Sequence, residues 1–154
     1  FLQTEDLILD GGLSAVGLES SIIDCTKQYP VILRPGAITT GMIENTTGYK
    51  TPFNQAKSEI RTSGLLESHY SPKAKVILDQ SPERGDGFIA LSNIKTPQGV
   101  IRLAEPKNNI EYAKVLYQAL RSADEQQIKT VHAHLPTGDD IAQAIRDRLN
   151  KSAK

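Results

Sequence analysis

The sequence predicts an α/β fold whose C-terminal half is an open, mostly parallel sheet flanked by helices, Rossmann-like but without a dinucleotide motif, preceded by a β-rich segment. Three observations carry this expectation. Short apolar, β-branched runs recur at Val76-Ile77-Leu78, Gly87–Leu91, Gly99–Leu103 and Thr130–Leu135. Helical periodicity fills Asn108–Asp124 and the segment after Thr137, and strands that alternate with helices pair in parallel through crossovers. Gly-x-Gly-x-x-Gly is missing, which argues against dinucleotide binding.

The first segment reads as a meander. Asp10-Gly11-Gly12 is a tight-turn signal after the apolar run Leu7-Ile8-Leu9, because Gly accepts positive φ and Asp bonds its own backbone. Ser21–Cys25 and Pro30–Arg34 are two further short runs bounded by turn residues. Ser20 then enters a strand and Arg34 leaves one, so the two polar side chains can converge on one ligand. Arginine offers a planar charged fork for carboxylate or phosphate, with Pro35-Gly36 allowing close approach, and a serine hydroxyl suits a small polar substrate. The plainer alternative is a surface arginine in a salt bridge and a serine that closes a turn. In residues 37–48, Thr39 or Thr40 caps a short helix that Thr46-Thr47-Gly48 stops.

Residues 49–74 lose periodicity and are punctuated by Pro52, Gly64 and Pro72, a long irregular connection of the kind that carries function or stays unfolded. His69-Tyr70 favours function, since a tyrosine face can lie on a base and its hydroxyl can bond phosphate. The plainer reading is that the pair anchors the linker on the surface.

From Lys75 the strand runs above are joined by a polar loop at residues 81–86 and then by a helix over 108–124, apolar at positions 110, 113, 115, 116, 117, 119, 120 and 123 and capped by Asn108 or Asn109. A closing helix turns Ile141, Ala142, Ala144, Ile145 and Leu149 inward and Arg146, Asp147, Arg148 and Lys151 outward. His132 and His134 share a strand face by their i, i+2 spacing, but no Cys or carboxylate lies at ligand spacing, so no metal site is assigned.

Eighteen basic and eighteen acidic residues balance to zero net charge, so no global field draws nucleic acid or an anionic membrane. The single cysteine, Cys25, excludes an internal disulfide and, placed in a strand pattern, is expected to be a buried small hydrophobe. No apolar run approaches the roughly 18 residues of a membrane span, and Phe1–Asp10 has no signal-peptide pattern, so a cytoplasmic protein is expected.

Three stretches carry a resemblance. ILDGG, VGLESSIID and VILRPGAIT, then GLLESHYSPKA, then GFIALSNIKTPQGVIRLAEP, EYAKVLYQALRSAD and AIRDRL are similar, in order, to the Sua5/YrdC family, the threonylcarbamoyl-AMP synthases of tRNA modification. Ser21 stands where the family usually has Thr, and Leu65 where it has Met.

The resemblance implies three regions: residues 1–48 as the remnant of an α/β, YrdC-like catalytic domain, 49–74 as a linker or lid, and 75–154 as the Sua5 C-terminal domain. The family's upstream K-x-R and S-x-N motifs are absent and the chain opens on Phe1, so a fragment, inactive alone, is expected. The implied reaction is nucleotidyl transfer from ATP, with Mg2+, to threonine and bicarbonate, giving threonylcarbamoyl-AMP and pyrophosphate. Ser20 would contact threonine, and Arg34 and Tyr70 would contact ATP; no catalytic residue is assigned. Implied partners are tRNA or double-stranded RNA and the downstream threonylcarbamoyl transferase machinery. Alternatives are a regulatory or interaction module and a double-stranded RNA-binding module. Unpaired strand edges in residues 7–34 would be covered by a dimer or by packing on the C-terminal domain.

Overall fold

A computed structural model of the chain describes Leu7, Leu9, Gly12 and residues 14–52 and 72–153. Two short strands come first, β1 (Ile22–Asp24) and β2 (Val31–Arg34), paired antiparallel with Ile22 opposite Arg34. Helix α1 (Thr40–Thr47) follows, its first free amides answered by the Thr39 hydroxyl, which accepts from Met42 N, and its end set by Gly48 at φ 73°. Pro52 returns alongside β2 and accepts from Ile32 N at 3.2 Å, which covers part of that strand's outer edge. Leu7 and Leu9 lie outside any strand and are exposed, so the strand expected there is not formed at those two positions.

The C-terminal half is the predicted parallel sheet. Strands β3 (Lys75–Leu78), β4 (Gly87–Ile89), β5 (Ile101–Ala104) and β6 (Thr130–Ala133) lie in the order β3-β6-β4-β5, every pair parallel. Helix α2 (Asn109–Glu125) joins β5 to β6, and α3 (Ile141–Ser152) ends the chain. Asn108 caps α2 by accepting from Glu111 N at 2.9 Å, while the Glu111 carboxylate reaches back to accept from Lys107 N at 2.8 Å. The first turn is therefore held from both sides.

Alternation along the strands divides the sheet into two unlike faces. Val76, Ile89, Val131 and Ala133 face α2 and α3 and share one core with Leu116, Leu120, Ile145 and Leu149. Tyr112, outside the apolar face expected for its helix, is fully buried there and donates to the His134 carbonyl at 3.1 Å, whereas Ile110 is exposed. Burial pushes the Tyr112 phenol far above its ordinary value.

On the opposite face the register aligns Ile77, His132, Phe88 and Arg102 in one row. Connecting loops cover this row. Arg102 lies 5.0 Å from the Phe88 ring centre and donates to the carbonyls of Ala90, Leu91, Ile94 and Ala104, which fixes the loop between β4 and β5. His132 Nδ1 is 3.1 Å from the Gln80 carbonyl and Nε2 is 3.1 Å from Asp86, so the loop between β3 and β4 is held across the sheet.

Two expectations are corrected by burial. Cys25 is exposed, because β1 ends at Asp24 and the chain turns outward immediately after it. Arg148, expected on the outer face of α3, is only 6% exposed, and Arg146 and Asp147 are half-buried. Position 148 falls one turn after Ile145 on the inward stripe, and a carboxylate from the N-terminal segment meets it there.

Candidate functional site

Antiparallel pairing brings the start of β1 beside the end of β2, and so brings Ser20 to Arg34. Arg34 Nε and Nη2 donate to the Ser20 carbonyl at 3.0 and 2.8 Å, and Nη2 also lies 3.2 Å from the Ser20 hydroxyl. Arg34 is 8% exposed while Ser20 is exposed, so the guanidinium is a fixed, buried positive charge beneath a serine that faces outward. Arg34 is buried rather than on the surface, and among its partners are a main-chain carbonyl and the hydroxyl next to it.

The turn after Arg34 is locked to the same backbone. Ser21 Oγ donates to the Ile38 carbonyl at 2.6 Å and accepts from Ile38 N at 3.1 Å. A Cβ on Gly36 would fall 2.5 Å from Ser21 N and 2.7 Å from Ser20 C, distances no real side-chain carbon tolerates. The close approach that Pro35-Gly36 permits is therefore onto residues 19–21 of the chain itself. Farther along β1, the Thr26 hydroxyl and amide both donate to Asp24 and hold its carboxyl below the usual range.

One neighbour of this site was missed in the sequence. The Glu19 carboxylate accepts from the Tyr117 hydroxyl of α2 at 2.8 Å and lies 2.9 Å from Arg148 Nε of α3. The signal was divided among three segments, with Glu19 98 residues before Tyr117 and Arg148 in a separate helix beyond it, and no local pattern joins them. Tyr70, the third residue expected at the nucleotide, and its neighbour His69 lie outside the described residues.

The two sheet histidines do not share a ligand. His132 turns to Asp86, and His134, past the end of β6, lies 4.0 Å from Asp79. Among the described residues no group of three or more His, Cys, Asp or Glu converges on a point. No helix among them is long and apolar enough to cross a membrane.

A parallel sheet with helices packed against it, preceded by a short antiparallel strand pair that clamps an arginine under a serine, defines an α/β protein. The family model described as threonylcarbamoyl-AMP synthase, C-terminal domain, matches residues 38–154, and the chain belongs to that family.

Relatives and solved structures agree. The threonylcarbamoyl-AMP synthase of Bacillus subtilis is 31% identical over 95% of this chain and 48% of its own length. That of Schizosaccharomyces pombe is 28% identical over 96% of this chain and 45% of its own, and that of Pyrococcus abyssi 26% identical over 96% and 49%. The crystal structure of P. abyssi Sua5 complexed with L-threonine superposes with a TM-score of 0.75 at 27% identity, over 94% of this chain and 48% of that one. A P. abyssi Sua5 variant with an adjacent His and Tyr replaced by Ala superposes at 0.71 and 26% identity, covering 94% and 47%. The chain thus spans about half the length of the curated relatives it matches.

Proposed function

We propose that this chain is the C-terminal part of a threonylcarbamoyl-AMP synthase acting in tRNA threonylcarbamoyladenosine formation. Residues 1–48 complete the substrate pocket, 49–74 form its lid, and 75–154 are the Sua5 module. The threonine amine and bicarbonate condense to a carbamate with loss of water, a carbamate oxygen attacks the α-phosphate of ATP, and pyrophosphate leaves. Such adenylyl transfer depends chiefly on positioning the reactants and on balancing phosphate charge. Mg2+ enters with ATP, bound to its phosphates.

In this reading Ser20 meets threonine through its exposed hydroxyl, and Arg34 sets a positive charge against the ATP phosphates from just behind it. Tyr70 covers the nucleotide from the lid. The observation that carries the proposal is the Arg34–Ser20 clamp, which places an outward hydroxyl and a fixed cation side by side. The relatives' names and the L-threonine in the P. abyssi complex support the substrate class. The chain alone is catalytically silent in this proposal, because strands at one edge of a pocket cannot enclose ATP.

Calorimetry of ATP and L-threonine binding, on this chain and on the full product of its gene, tests the reading. Arg34→Ala in that product should abolish binding and pyrophosphate release, while Arg84→Ala, on an exposed loop, should leave both unchanged. Equal losses would remove Arg34 from the site.

A further inference from the structure

Residues 16–19 form a strap laid on α2 and α3. Val16 and Leu18 pack against the helix-side core. Between them Gly17, at φ 76°, touches the helix backbone so closely that a Cβ would fall 2.5 Å from Lys114 Cα and 2.7 Å from the Ala113 carbonyl oxygen. At the end of the strap Glu19 meets the Tyr117 hydroxyl and Arg148 Nε.

The charges around Glu19 make its place specific. Arg148 is buried, its Nη1 3.5 Å from Asp147, whose carboxylate is also paired with Lys151 Nζ at 2.8 Å. Arg148 Nη2 is buried with no hydrogen-bond acceptor among the described residues, and the Nε approach to Glu19 is an ion pair without hydrogen-bond alignment. A buried guanidinium this incompletely partnered leans heavily on its carboxylates, since removing one partner of a buried pair leaves an uncompensated charge. Glu19 is the partner that comes from outside α3.

The residue after Glu19 is Ser20, whose carbonyl and hydroxyl receive Arg34, and the next is Ser21, which locks Ile38. We infer that Glu19 is a positioning residue: Tyr117 and Arg148 hold it, and through it the C-terminal helices set the place of the Ser20 carbonyl and hydroxyl at the substrate site. The inference rests on the reading of Ser20 and Arg34 as substrate-binding groups. Linkage makes the coupling reciprocal, so threonine bound at Ser20 strengthens the seat of the strap on the helices.

The test is a charge reversal, made in the full product of the gene, with threonine affinity by calorimetry and amide hydrogen exchange at residues 20–22 as readouts. Glu19→Arg and Arg148→Glu should each speed exchange at those amides and weaken threonine binding about tenfold or more. The double reversal, which restores opposite charges, should recover most of both; a purely structural defect would not be rescued. If Arg148→Glu melts the helical module, Glu19→Gln and Tyr117→Phe, each removing one charge or one hydroxyl, carry the comparison.

Unchanged exchange and affinity in every single variant overturns the inference, as does a double reversal no better than its parents. Arg34→Ala separates the two readings. Loss of binding there, with Glu19 variants unaffected, sinks only the positioning role. Retained binding in Arg34→Ala, or none in the unaltered protein, sinks the site assignment, and exchange at residues 20–22 then decides by itself whether the helices hold Ser20 through Glu19.

Discussion

Arg34 reaches back fourteen positions to grip the main-chain carbonyl of Ser20 with two nitrogens, at 3.0 and 2.8 Å. A lysine retains the charge but has no planar pair of donors to replace this grip. Arg34→Lys should therefore speed amide exchange at Ser21 and Ile22 and weaken threonine binding about tenfold, the scale of one lost charge-assisted bond. Wild-type exchange in the lysine variant would mean that charge, and not geometry, matters at this position.

Gly36→Ala should damage the same site from the other side. Its methyl would fall on the backbone of residues 19–21, and neither segment can withdraw without breaking the Ser21–Ile38 bonds. A stability loss of about 1–3 kcal/mol is expected from such overpacking, with the shifts confined to residues 19–38. Amide chemical shifts that change across the parallel sheet instead would refute the local account.

Tyr112 predicts a pH effect with a definite sign. Its phenol ionises far above the ordinary value in the folded chain because burial disfavours the phenolate. Stability from this group is full below about pH 10, the unfolded value, and is lost above it as the unfolded chain ionises first, by about 1.4 kcal/mol per pH unit. Tyr112→Phe should cost about 1 kcal/mol near neutrality for the bond to the His134 carbonyl and should flatten the alkaline slope. Urea midpoints measured from about pH 8 to 11 compare the two proteins, and parallel slopes would contradict the assignment.

Arg102 receives the loop between β4 and β5 by donating to the carbonyls of Ala90, Leu91 and Ile94. Arg102→Ala removes a donor from four carbonyls, of which Leu91 keeps the Ile94 amide, and should destabilise the chain by about 3 kcal/mol. Arg102→Lys, which cannot span them, should recover less than half. Chemical denaturation gives the magnitude, and fast exchange restricted to residues 90–96 locates the cause.

Asn108→Ala removes the acceptor for Glu111 N at the start of α2, at an expected cost of about 1 kcal/mol. Asn108→Asp should lose almost none, since the carboxylate accepts equally well and complements the helix dipole. Thermal melting of the three proteins ranks them.

What the sequence made legible was local. A cap was expected at Thr39 or Thr40 and at Asn108 or Asn109, and Thr39 and Asn108 are the caps, because capping needs only a side chain and an amide two or three residues on. The parallel α/β sheet followed from alternating periods, and the meeting of Ser20 with Arg34 from two strands short enough to pair directly. The misses were non-local. Arg148 reads as a solvated charge in any helical pattern, and only Glu19, far away in the chain, makes its burial tolerable. Tyr112 reads as a flank of its helix until a strand end offers a carbonyl to its hydroxyl. Cys25 followed an apolar run, but the run ended one residue before it.

The strand order sets the timetable of folding. β6 is the last of the sheet's four strands in sequence, yet it sits between β3 and β4, the first two, and pairs with both. Until Thr130–Ala133 has emerged, β3 has no neighbour, and the pairing of Lys75 with Thr130 spans more than fifty residues. Long-range parallel pairings of this kind form slowly. A nascent chain stopped before β6 therefore carries β3 as a lone strand apart from the β4–β5 pair, both with raw edges, and the four-stranded sheet closes only when β6 arrives between them.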